Sequence, residues 1–354
     1  MEEKKDTLGM LDLMVRPAFC VRDNVIIKVN RAAEGLFFTP GSDVRPLLLT
    51  GAEEYAAFTE GCLYLSVNIS SRSCGASVTK VDGMDVFLLE QDSDTGELRS
   101  MALAARELRE PLTNVMITAD RLFPLSAQQD DPKLQQQVAR LNRGLFQMLR
   151  IIGNMSDAER CAAVSRQETL DLAGLFAEVF EKAEALVSHT GITLTYHGLS
   201  LPVFSLGDGE QLERAVFNIL SNAVKFTPKG GTISAELTRK GQMLYLSVRD
   251  SGSGIAENVR SSVFDRYLRQ PALEDSRYGI GLGMVLIRAA AANHGGAVLI
   301  DRPEGKGTRI TMTLSIRQSQ ETVLRSNILR VDYAGEWDHG LIELSDCLPA
   351  ELYE

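Results

Sequence analysis

Between residues 98 and 163 the apolar positions follow one rhythm. Met101, Ala105, Leu108, Leu112, Val115, Ala119 and Leu122 step alternately by four and three, and so do Leu134, Val138, Leu141, Leu145, Met148, Ile152 and Met155. That spacing predicts two long helices, each holding a bundle seam for about three heptads. Phe123-Pro124 through Asp131-Pro132 marks the break between them. A lone two-helix hairpin buries too little surface, so the pattern predicts pairing with a second copy into a four-helix bundle. The same periodicity also fits a spacer coiled coil.

From residue 168 to 317 the period switches repeatedly. Leu170 to about Ser188 reads as a helix, with Leu172, Leu175, Phe176, Val179 and Ala183 on one face. Ile192–His197 reads as a strand. Asp208, with Gln211 three residues on, predicts a capped helix running to about Phe226. Strands are expected at Thr232–Thr238, Met243–Asp250, Ala297–Asp301 and Arg309–Ile316. A helix is expected over Leu282–Asn293, closed by a left-handed glycine at 295 or 296. The order predicts an α/β sandwich.

Residues 1–92 are mixed. Val25–Val29, Gly75–Lys80 and Met84–Glu90 read as strands, the last two around a Val81-Asp82-Gly83 turn. Asn30 to Glu34 reads as a capped helix start, and a small α+β domain follows from these elements. Residues 318–354 form a tail. From Val331 onward it holds seven acids and no Lys or Arg. Ile328–Tyr333 and Leu341–Ser345 are expected to pair as a hairpin docked on another element, because an isolated hairpin is marginal in water.

Composition narrows the function. The chain has 354 residues, is 44% hydrophobic and 24% charged, and carries a formal charge of −10. That length implies two or three domains and excludes a small disulfide scaffold. An acidic chain argues against nonspecific nucleic-acid binding, which needs cations to displace counterions. The five scattered cysteines form no zinc pattern and suit reduced thiols. No apolar run reaches the length of a membrane span, and Met-Glu-Glu-Lys-Lys-Asp is not a signal peptide. A cytoplasmic location is therefore expected.

The candidate chemistry lies in the third segment. Asn218, Asn222 and Lys225 follow i, i+4, i+7, one stripe beside the apolar Leu212, Val216, Ile219 and Ala223. Amide oxygens can ligate a Mg²⁺ that bridges phosphates, and the ammonium adds a point charge. Asp250-Ser251-Gly252-Ser253-Gly254 closes a strand with a carboxylate able to accept from an exocyclic amine. Gly279-Ile280-Gly281-Leu282-Gly283 opens a helix whose bare amides attract phosphate. A Rossmann turn has similar glycines, but no clear strand immediately precedes these. Residues 266–278 read as a flexible lid, from which Arg269 and Arg277 can reach phosphates.

In this order the pieces resemble the ATP-binding domain of sensor histidine kinases, the Bergerat or GHKL nucleotide fold. The stretch from Gly207 through Asn218 and Asn222 to Pro228 looks like the N box, and Asp250–Ile255 like the first glycine box. Phe264–Tyr267 looks like the F box, Gly279–Gly283 like the second glycine box, and Gly305-Lys306-Gly307-Thr308 like the terminal GxGT. The resemblance implies that Asn222 ligates Mg²⁺ with Asn218 beside it, that Lys225 contacts phosphate and that Asp250 takes the adenine amino group. Phe226, Gly252, Gly254, Gly279, Gly281, Leu282, Gly283, Arg269, Arg277 and Thr308 would complete the ATP site. The helical hairpin looks like the dimerisation and phosphotransfer domain, and residues 1–92 resemble a PAS sensor. The implied fold is multidomain α+β: a PAS-like α/β sensor, a hairpin forming a dimeric four-helix bundle, and a Bergerat sandwich.

One departure matters. The family motif His-Glu-Leu-Arg-Thr-Pro-Leu is matched by Arg106-Glu107-Leu108-Arg109-Glu110-Pro111-Leu112. Glu107 keeps the acidic partner, but the acceptor histidine is Arg106, a permanently protonated and poor nucleophile. The family's Thr is Glu110. His189, His197, His294 and His339 lie off the hairpin and read as surface or packing residues. The expectation is a two-component, Mg-ATP-binding sensor protein lacking the usual phosphoacceptor. It would form a homodimer whose bundle meets a response regulator or partner kinase. Two other readings stay open: a non-enzymatic ATP-gated scaffold, and a GHKL kinase acting on Ser/Thr of a partner.

Overall fold

The computed structural model describes residues 7–36, 38–90, 93–124, 131–160, 167–255, 263–264, 281–303, 306–317 and 338–353. A short helix, α1 (Thr7–Leu13), leads into an antiparallel sheet ordered β2-β1-β5-β4-β3. Its strands are β1 (Ala18–Arg22), β2 (Val25–Val29), β3 (Cys62–Ile69), β4 (Arg72–Val81) and β5 (Met84–Leu89), with α2 (Ala52–Ala57) between β2 and β3. Phe19 stacks on Phe87 at 4.6 Å in its core. The helix expected from Asn30 does not form. Asn30 is fully buried, its side chain accepting from the Ala18 and Ala33 amides and donating to the Met14 and Arg16 carbonyls. Those bonds close a turn, and only a 3₁₀ turn (Glu34–Leu36) follows.

The hairpin comprises α3 (Ser93–Leu122) and α4 (Pro132–Arg160). Asp131 caps α4 by accepting from the Lys133 and Leu134 amides. The seam divides along its length. Ala105, Leu112 and Ala119 of α3 and Val138, Leu145 and Ile152 of α4 are buried, whereas Leu108, Val115, Leu122, Leu141 and Met148 are exposed. Each helix thus spends every second seam position inside the chain and leaves the alternate ones open.

The third segment contains β6 (Glu168–Asp171), α5 (Leu172–Ser188), β7 (Thr193–His197), β8 (Phe204–Gly207), α6 (Gly209–Phe226), β9 (Thr232–Lys240), β10 (Met243–Asp250), α7 (Gly283–Asn293), β11 (Val298–Asp301) and β12 (Arg309–Ser315). Its main sheet runs β11-β12-β10-β9-β7, and α5, α6 and α7 pack against it. Strands β6 and β8 pair separately. The helix expected from Leu170 starts two residues later. Asp171 ends a strand, accepts from the Val203 amide and caps α5 through Ala173.

Two features are absent from the sequence expectation. Strand β3 pairs antiparallel with β11, with Leu63 opposite Leu299, so the two sheets are one ten-stranded sheet. In the tail, residues 341–345 are not a strand. Asp338 caps α8 (His339–Glu343) by accepting from Leu341, and a 3₁₀ helix (Ala350–Tyr353) follows. The expected partner strand, 328–333, lies outside the described residues. The tail does dock: Ile342, Leu344 and Leu348 are at most 1% exposed within the main core.

Candidate functional site

Helix α6 organises the site. Asp208 caps it through the Gln211 amide at 3.1 Å, and Leu212, Val216, Ile219 and Ala223 sink into the core. The polar stripe is not simply solvated. Asn218 is 2% exposed, donates to the Arg214 carbonyl and accepts from Arg150 Nη2 at 3.4 Å. Asn222 is half-buried, its amide nitrogen 3.8 Å from Met284 Sδ. Lys225 is buried, and burial together with nearby Arg150 lowers its pKa against the opposing effect of Asp346. Phe226 is partly exposed at the end of the helix.

Asp250 ends β10, nearly buried, with Oδ1 accepting from the Gly252 amide at 2.8 Å and the Thr308 amide at 3.2 Å. Burial raises its pKa, and these bonds oppose the rise. Gly252 sits against the Phe226 carbonyl and Gly307 against the Asp250 carbonyl, where a Cβ would collide with backbone. Gly307 also has φ +103°, outside the range of ordinary side chains. The first glycine box, the end of α6 and the terminal Gly-Thr are therefore one packed unit.

Gly281 has φ +81°, and Gly283 begins α7 with a Cβ position only 3.0 Å from Asn218 Oδ1. Leu282 is buried with Val285 against Met101 of α3 and Met155 of α4. The N box, second glycine box and hairpin thus meet. At its other end, α7 is tied back by His294, whose Nδ1–H donates to Ala290 O and whose Nε2 accepts from the Asp208 amide at 2.9 Å. The packing role expected for this histidine is what the structure shows.

Arg269, Arg277, Gly279 and the lid fall outside the described residues. Arg106 and Glu107 lie on the exposed surface of α3. Sequence reasoning missed the buried charges between α4, α6 and the tail: Arg150, Arg214, Glu343 and Asp346. Their signal was the run of acids without Lys or Arg, which needs cations from elsewhere.

The residues present suit a nucleotide. A desolvated carboxylate can accept from an amino group, glycines allow close backbone approach, and an amide and an ammonium follow along one stripe. Among the described residues no group of three or more His, Cys, Asp or Glu is placed to hold a metal. A Mg²⁺ here would rest on the Asn222 amide oxygen and on phosphates.

Comparison with known proteins agrees. Residues 207–318 match the histidine kinase-, DNA gyrase B- and HSP90-like ATPase family. The chain is 30% identical over 250 residues to the adaptive-response sensory kinase SasA of Synechocystis sp. PCC 6803, covering 66% of this chain and 64% of that one. It is 28% identical over 228 residues to the sensor histidine kinase CusS of Escherichia coli K12, covering 63% and 46%. Full-length ShkA, solved in complex with AMPPNP, shares the fold at TM-score 0.50 and 23% identity over 62% of this chain and 46% of that one. The chain spans about half the length of most of the curated relatives it matches. The ATPase-type domain defines the class. Residues 207–318 carry that ATPase-type domain, and the chain is similar to sensor histidine kinases over about two thirds of its own length. Among the described residues no helix is long and apolar enough to cross a membrane.

Proposed function

We propose that this chain binds Mg-ATP as a cytoplasmic dimeric signalling protein and does not autophosphorylate on its first hairpin helix. The observation that carries the nucleotide assignment is the Asp250 carboxylate, buried and fixed by the Gly252 and Thr308 amides beside the end of α6. From that position it selects adenine through the exocyclic amine. Asn222, with Asn218 behind it, supplies the Mg²⁺ ligand, and Lys225 the phosphate contact. Mg²⁺ would neutralise phosphate charge as phosphoryl transfer requires. Lid residues Arg269 and Arg277 complete the phosphate end. The N-terminal domain, residues 1–92, is read as the PAS-like sensor, 98–163 as the dimerising hairpin and 168–317 as the ATP-binding domain.

Arg106 favours the second reading, an ATP-gated scaffold that pairs with a response regulator or an active kinase. Incubation with γ-labelled ATP, followed by acid and base treatment, separates the readings. The expected result is Mg-ATP binding by calorimetry, weakened by Asp250→Asn, with no base-stable, acid-labile label on residues 98–163. Unchanged affinity in Asp250→Asn would remove the pocket assignment. Label on Ser or Thr of a partner would replace the scaffold with a Ser/Thr kinase.

A further inference from the structure

The tail docks where the proposed phosphate contact lies. Asp346 Oδ2 is 2.8 Å from Lys225 Nζ and 2.5 Å from Arg150 Nη1. Both cations are nearly buried, and Asp346 is 11% exposed. Three residues earlier, Glu343 lies 3.3 Å from Arg214 Nε on α6 and 3.6 Å from Arg150 Nε on α4. Arg150 also reaches Asn218. The tail therefore puts a carboxylate on the cation that the N box would offer to phosphate.

The segment is held by its own contacts. Phe146 meets the Tyr353 ring edge-on at 5.1 Å. Asn142 donates to the Tyr353 carbonyl, Gln147 to that of Ser345, and Arg143 to those of Ser345 and Asp346. All four are on α4, so the tail also joins the hairpin to α6. A carboxylate and a nucleotide phosphate are both anionic oxygen acceptors for Lys225 and Arg150. With both in place, like charges would be forced together in a poorly solvated site.

We infer that residues 338–353 act as a tethered anionic competitor at the phosphate end of the nucleotide site, with Asp346 occupying the Lys225–Arg150 cation pair until nucleotide displaces it. This rests on the nucleotide-binding reading above. Competition is reciprocal: whatever factor the tail takes from nucleotide affinity, nucleotide must take from tail docking. Release of the tail would also free the α4 face it covers. Nucleotide binding would thereby be transmitted to the hairpin without phosphotransfer.

The test uses the full chain and Mg-ATP. Asp346→Asn keeps the shape and removes the charge. Its affinity by calorimetry should rise at least about fivefold, the low end of usual coupling between sites. Hydrogen exchange of amides 338–353 in the wild type should accelerate on saturation with Mg-ATP. That second measurement decides the matter if Asp346→Asn does not fold. Equal or weaker binding by a folded Asp346→Asn, with Asp250→Asn still impairing the wild type, would overturn the competitor and leave the pocket standing. Unchanged tail protection at saturation would do the same. No binding by either wild type or Asp346→Asn would overturn both readings.

Discussion

Arg288 Nη2 lies 2.6 Å from Glu90 Oε1, joining the helix after the second glycine box to the end of the N-terminal sheet. The same guanidinium donates to the Phe264 carbonyl in the F box at 3.0 Å and lies over the Tyr64 ring at 5.2 Å. Tyr64 in turn donates to Glu90 Oε2. One side chain thus touches the two regions that the sequence separates as sensor and ATP-binding domain. The β3–β11 pairing runs beside it.

Arg288→Met is therefore expected to cost stability in both regions, by about 1.5–3 kcal/mol, the range for a hydrogen bond involving a charge. The Phe264 carbonyl loses its donor, and Glu90 loses its cation. Urea unfolding of Arg288→Met, Glu90→Gln and the double variant should show a coupling energy of about 0.5–3 kcal/mol. Additivity would mean that the pair does not link the regions.

Much of this architecture is legible because its signals are local. The Asp208 cap, the Met243–Asp250 strand and the stripe through Asn218 and Asn222 depend on neighbours within one or two turns. The N-terminal strand β3 was missed despite eight consecutive residues, because a strand buried almost throughout has no alternation to read. The β3–β11 pairing joins positions more than 200 residues apart, and no period in the sequence encodes it. In the tail, Leu341–Ser345 has an apolar pattern that suits a short strand or one helical turn. Asp338 decides for the turn by capping it. The reach of Asp346 to Lys225 is a tertiary contact with only its charge visible beforehand.

Burial gives His294 a pKa below its ordinary 6.5, despite the hydrogen bond to Ala290 that favours its charged form. The unfolded chain then binds the proton more readily than the folded one. Stability supplied by the neutral ring is complete above about pH 6.5 and is lost as pH falls below it, until the folded ring also protonates. Thermal melts between pH 8 and 5.5 should show a steeper acid decline in wild type than in His294→Gln. The difference is at most about 1.4 kcal/mol per pH unit for one proton. Parallel declines would remove His294 as the cause.

The divided seam predicts which hairpin substitutions break what. Leu108 and Leu141 are 50% and 40% exposed, whereas Leu112 is 4% exposed. Leu108→Asp with Leu141→Asp should leave the folded chain intact but yield a monomer, by placing charge on the open positions where the proposed second copy would pack. Leu112→Asp should instead unfold the hairpin, because the carboxylate has no partner inside it. Light scattering with circular dichroism distinguishes the two. A wild-type monomer at about tens of micromolar, a concentration that reveals all but weak association, would remove the homodimer.

Arg106 decides whether the hairpin can accept phosphate. It is exposed on α3, one helical turn before Glu110, with Glu107 beside it in sequence and Pro111 and buried Leu112 following. A guanidinium is protonated at every ordinary pH and has no lone pair to attack phosphorus. Wild type should therefore give no phosphohistidine on residues 98–163. Arg106→His supplies an imidazole at a position already turned to solvent, without disturbing the buried half of the seam. Glu107 remains available as the acid beside it. Labelling should stay weak, because Glu110 places a second negative charge about one turn away and repels the incoming γ-phosphate. Adding Glu110→Thr removes that charge and should increase the label. Mass spectrometry locates it, and loss in acid with survival in base identifies phosphohistidine. Base-stable label on the wild-type hairpin would show that another residue of these helices accepts phosphate. Label on His189, His197, His294 or His339 would make the chain an active kinase with a displaced acceptor. Equal labelling of Arg106→His with and without Glu110→Thr would show that the carboxylate at 110 does not face the transferred phosphate.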